Sequence, residues 1–149
     1  MSESGPDRCT CRDCKNFLAA RERIYNPQVL ELFRKLGIDP QREAEVVIYP
    51  LPDRPGYRVG NGWFHVVGRV LEGPPDRRGG TLLFVHTEPY DMDLLVTSHA
   101  GLIPDSFDGH PVIQLEWSGP VPWMLDEPPD DGGMWTSDTK LKTVREADT

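Results

Sequence analysis

Three cysteines fall within six residues, Cys9-Thr-Cys11-Arg-Asp-Cys14, and the 149-residue chain has no others. Thiolate sulfur is a preferred ligand of zinc, a borderline-soft ion that accepts tetrahedral sulfur coordination. A helix opening near Arg12 sets Cys11 and Cys14 three positions apart on one face. Cys9, on an extended lead-in, can fold back to the same point. The positive end of that helix, with Arg8, Arg12 and Lys15 beside it, favours the deprotonated sulfur a metal needs. Three sulfurs leave one coordination position open. His65 is the leading candidate for it and His86 the second, with Asp13 or water as further options. The competing reading of His65 is a core histidine satisfied by a carbonyl. The expected site is thus Zn2+ on Cys9, Cys11, Cys14 and His65, tying the N-terminus to the body of the protein. An iron–sulfur cluster fits less well, since those use four thiolates. A redox pair at Cys11 and Cys14 has the C-x-x-C spacing but not a thioredoxin-like strand before it.

Other chemistry is thinner. The stretch His86-Thr-Glu88-Pro-Tyr90-Asp91-Met-Asp93 gathers a histidine and three carboxylates, groups that hydrolytic metal sites use. It has no H-x-H or H-x-x-x-H pairing and reads as an acidic loop between strands. Ser98-His99 lacks the G-x-S-x-G elbow of a nucleophilic serine. The run Gly73–Gly80 matches neither phosphate-binding fingerprint. No catalytic residue is assigned.

The elements that must position the cysteines are short. Pro (15) and Gly (14) together take almost a fifth of the chain, a composition of turns and brief segments. Residues 12–23 suit a first helix. The second has both ends marked: Asn26 caps, Pro27 fits the first helical position, Val29, Leu30, Leu32, Phe33 and Leu36 form an apolar face, and Gly37 terminates it. After residue 43 the pattern turns to strands, at 45–49, 81–87, 94–98 and 112–117. Between them, Tyr57-Arg58-Val59, a Gly60-Asn61-Gly62 turn and Trp63–Leu71 read as a hairpin. Trp63, Trp117 and Trp123 read first as core residues. Helices followed by successive strands predict an α+β fold: two N-terminal helices packed on a mostly antiparallel sheet, led by a cysteine knuckle. The expected division is a flexible N-terminus (1–8), a single domain (9–125) and a polar, acidic tail (126–149).

The formal charge is −8, and residues 126–149 carry seven acidic and three basic side chains. An acidic surface repels phosphate backbones, so nucleic acid is not an expected partner. No apolar run approaches the roughly 18 residues of a membrane span, and MSESGPDRCT lacks the apolar stretch of a secretory signal. The cytoplasm, where thiols stay reduced, is the expected compartment.

The strings CTCRDCKNF, LGID at Leu36–Asp39 and Gly62-Trp63-Phe64-His65-Val-Val-Gly68 together resemble a set of small uncharacterised bacterial proteins, over about Cys9 to Gly68. That resemblance implies that Cys9, Cys11, Cys14 and His65 act together, and brings no activity with it. In general style a small acidic α+β chain is also similar to immunity proteins of toxin systems. The sequence thus predicts a non-catalytic protein-binding or regulatory domain with a structural zinc site and a basic protein partner. The alternatives are a metal-dependent hydrolase and a thiol-based redox protein.

Overall fold

Local signals decide where the helices begin and end. In the computed structural model, which describes residues 5–69, 80–98 and 107–129, α1 spans Arg12–Ile24 and α2 spans Pro27–Leu36. The Asn26 side chain accepts the Val29 N–H at 2.9 Å, filling one donor that the first turn of α2 leaves unpaired. Pro27 needs no such partner. Gly37 ends α2 in the left-handed conformation (φ 71°), with its N–H turned back to Arg34 and Phe33 carbonyls. On α1 the buried residues are Cys14, Asn16, Phe17, Ala20 and Ile24, a stripe at helical spacing that faces the sheet.

Five strands follow: β1 Glu45–Pro50, β2 Tyr57–Val67, β3 Gly80–Val85, β4 Met92–Thr97 and β5 Val112–Pro122. They form one sheet in the order β1-β2-β5-β4-β3, antiparallel at every pairing. The architecture is α+β, as the helix-then-strand order predicts. Side chains alternate between faces along each strand. Val46, Phe64, Leu115, Trp117, Val121, Met92 and Leu94 point to the helices and are buried. Their contacts with α1 and α2 are largely aromatic. Phe17 stacks on Trp117 (6.1 Å between centroids), Tyr25 meets Trp117 edge-on (5.6 Å), and Phe33 meets Phe64 (5.0 Å).

The Gly60-Asn61-Gly62 turn does not form. All three residues lie inside β2, which runs unbroken to Val67, with Gly60 opposite Gly119 and Gly62 opposite Trp117. The reason is packing. A Cβ on Gly62 would lie 2.5 Å from Trp117 Nε1, and one on Gly60 would lie 2.6 Å from Val121 and 2.8 Å from the Trp117 ring. The glycines are bare so that the indole can lie against the strand. Pro120 and Pro122 likewise stay within β5. They sit beyond Ser118, the last β5 residue paired with β4, where a missing N–H is tolerated.

Two buried polar residues stitch the layers together. Asn16 on α1 donates to the Pro122 carbonyl (3.0 Å) and accepts from the N–H groups of Met124 (2.6 Å) and Leu125 (3.3 Å). Glu43, just before β1, accepts from Arg21 (2.7 Å) and from the Tyr25 hydroxyl (2.9 Å). Past β5 the chain still touches its own body: Arg12 donates to the Pro128 carbonyl at 2.9 Å, and the Trp123 indole to that of Glu127. Trp117 and Trp123 are buried. The rest of the expected tail, Trp135 included, lies outside the described residues, as do Val70 and Leu71. Among the described residues no helix is long and apolar enough to cross a membrane.

Candidate metal centre

The approach to α1 is held in place by backbone contacts. The Gly5 N–H donates to the Glu43 carbonyl (3.0 Å), Pro6 is buried in a single 3-10 turn, and the Cys9 N–H returns to the Pro6 carbonyl (3.3 Å). The chain then extends through Cys9 (φ −94°, ψ 140°) and Cys11 (φ −68°, ψ 159°) before α1 begins. Cys11 is the N-cap, its sulfur accepting the Cys14 N–H at 3.4 Å. A serine or aspartate is the usual residue in that role, so the capping group here is itself a metal-ligating atom.

This backbone path gathers the three sulfurs within 4.8 Å of one another. Cys9 Sγ and Cys11 Sγ are 3.1 Å apart. A tetrahedral ion with zinc–sulfur bonds of about 2.3 Å would space its sulfurs about 3.8 Å apart. Three sulfurs this close could hold a metal ion, with Cys9 and Cys11 moving apart to do so. The three thiols also differ in environment. Cys9 and Cys11 are exposed and Cys14 is buried. A hydrogen bond from the Cys11 backbone, aided by the neighbouring thiols, lowers the Cys9 pKa. Burial first, then the two neighbouring sulfurs, pushes the Cys14 thiol far up. Binding a metal would draw the proton off Cys14, the thiol that holds it most tightly.

Among the described residues, no histidine or carboxylate joins this group. His65 alternates with the buried Phe64 and so lies on the sheet face turned away from α1. Its Nε2 is 3.1 Å from Gln114 Oε1, and its ring meets Phe107 edge-on at 6.1 Å. The structure thus brings Cys9, Cys11 and Cys14 together and does not bring His65 to them. Asp13 is close in sequence but faces Arg58 of β2, 3.4 Å away. His86 sits in the β3–β4 loop, 3.0 Å from Asp91 and 3.4 Å from Glu88. His110 is exposed, and His99 lies outside the described residues. The described residues thus bring three sulfurs together with no fourth protein ligand beside them.

Residues around the cluster went unmarked by motif. Arg58 reads as part of a hairpin arm, yet it is buried under α1 against Asp13. Glu43 anchors both Arg21 of α1 and, through its carbonyl, the strand of chain that leads to Cys9. Comparison with family models, with curated proteins and with solved structures gives no match.

Proposed function

We propose that Cys9, Cys11 and Cys14 hold a zinc ion that fixes the N-terminal segment, and that the chain works by binding a basic protein partner without catalysis. The observation that carries the metal is the convergence of three sulfurs within 4.8 Å at the start of α1. An all-thiolate donor set is that of structural zinc sites, which a fourth donor would close. The resemblance to small bacterial proteins through C-x-C-x-x-C-K-N-F is consistent with this role. Support for a binding role comes from the −8 charge and from Tyr49, Val67, Leu82 and Phe84, large apolar side chains left exposed.

A thiol-based redox role is the second reading, favoured by the exposed Cys9 with its lowered pKa. Differential alkylation separates the two. In reduced protein loaded with one equivalent of zinc, all three cysteines should resist iodoacetamide until a chelator is added. Free reaction of Cys9 in the zinc-loaded protein would favour redox chemistry over a metal site.

A further inference from the structure

On the sheet face away from the helices, side chains line up in rungs across the strands. Asn61, Ser118 and Asp93 form one rung, and Trp63, Glu116 and Leu95 the next, with Leu82 of β3 beyond Leu95. Together they border a cavity of about 460 Å³. That is a size that takes a ligand, in the range of roughly 300–1,000 Å³.

Two features of this cavity have no use among the described residues. Asn61 Oδ1 and Trp63 Nε1 are buried, yet neither has a hydrogen-bond partner among the described residues. Buried polar atoms are nearly always satisfied, so an acceptor and a donor left over side by side point to a ligand. The second feature is charge. Asp93 and Glu116 stand on adjacent strands on the same face, diagonal neighbours. No lysine or arginine is among the described residues lining the cavity. One oxygen of Glu116 accepts from Gln114 at 2.7 Å, which orients the carboxylate.

We propose that this cavity receives an arginine side chain presented by a basic protein partner. The proposal rests on the reading of the chain as a binder of such a partner and names the part of the surface that does it. A guanidinium is planar and carries five donors, so it can reach the two carboxylates and the Asn61 carbonyl oxygen together. It also stacks on an indole face, here that of Trp63. Leu82 and Leu95 offer apolar surface to its methylene stem. A lysine ammonium, a compact point charge, would use fewer of these groups at once.

The test is a titration of the 15N-labelled full chain with the peptide acetyl-Gly-Arg-Gly-amide, beside the same peptide carrying citrulline, a neutral isostere of arginine. The Trp63 indole and Asn61 side-chain amide signals should shift saturably with the arginine peptide and not with the citrulline one. Asp93→Asn and Glu116→Gln should each weaken binding on the order of ten-fold, the loss expected for one charge-assisted hydrogen bond. The spectra of the variants report directly that they are folded. Signals that do not move, that move equally with citrulline, or that are indifferent to both substitutions would overturn the proposal. Salt-sensitive capture of a basic protein that leaves Trp63 unshifted would overturn it too, while leaving the broader binding role standing. Conversely, a saturable arginine shift in a chain that recovers no basic protein partner would support the cavity and contradict the broader role.

Discussion

Cys14 answers two demands that oppose each other. As a buried residue of α1 it packs as a small apolar group, and burial holds its thiol protonated. As a metal ligand it would have to give that proton up, which only a bound cation makes favourable. Cys14→Ser should therefore lower the melting temperature by about 10 °C, from the ~4 kcal/mol that a metal present at a thousand times its Kd contributes. A chelator should lower the wild type by a similar amount and leave the variant where it was; an unchanged wild-type melt would count against a structural ion. In the metal-free protein, mass spectrometry should find Cys9 alkylated first and Cys14 last, following the opposite pKa shifts of the two thiols. The cysteine cluster is legible in the sequence because its chemistry is local, three ligands in six residues. His65 is not, since its face depends on strand register, and one residue of register decides which side of the sheet it occupies. Glu43 is harder still: nothing marks a glutamate in a connecting segment as the buried acceptor for Arg21 and Tyr25. Its pKa is raised, with desolvation the leading cause. A carboxyl with a raised folded-state pKa adds stability that is complete below its unfolded value, about 4.3, and lost as pH rises through the folded value. The stability of wild type relative to Glu43→Gln should accordingly decline as pH increases from about 4. Urea unfolding across that range measures it, and a relative stability that climbs with pH would show the ion pair with Arg21 outweighing burial.

At the scale of elements, α1 and β5 are joined by a side chain and β2 and β5 by the lack of one. Asn16→Ala would strip partners from the Pro122 carbonyl and the Met124 N–H, both part of the way β5 leads into the following chain. A loss of about 2–3 kcal/mol is expected in chemical unfolding, the penalty for leaving such groups unpaired. Gly62→Ala should cost about 1–3 kcal/mol, because its methyl would collide with the Trp117 indole. Gly68→Ala has open space around it and serves as the control, expected within about 0.5 kcal/mol of wild type. Equal effects at the two glycines would remove packing as the reason for Gly62. The helices are readable from sequence because a cap, a proline and a terminal glycine act over three or four residues. The path of β2 is not. Gly-Asn-Gly carries a strong turn signal, and it is overridden by Trp117, a residue some fifty positions further on.

The described residues form a two-layer α+β body whose N-terminal segment is pinned at one end of α1 and whose second sheet face carries acidic and aromatic groups. Residues 126–149 carry half of its net charge of −8, and association of so acidic a chain with a basic partner should be fast and weaken as salt rises. Kinetics at two ionic strengths would check this, with the association rate falling and the dissociation rate changing little. The order of helices before strands makes the fold class visible in advance. The strand order β1-β2-β5-β4-β3 and the choice of which face meets the helices depend on long-range pairing that no local pattern encodes. Elemental analysis of untagged protein, prepared under reducing, chelator-free conditions, reads the metal at the cysteine cluster without any assumption about partner or activity. About one zinc per chain, lost in Cys14→Ser and retained in His65→Ala, is the predicted result. Protein that carries no metal, or zinc content unaffected by Cys14→Ser, would contradict it.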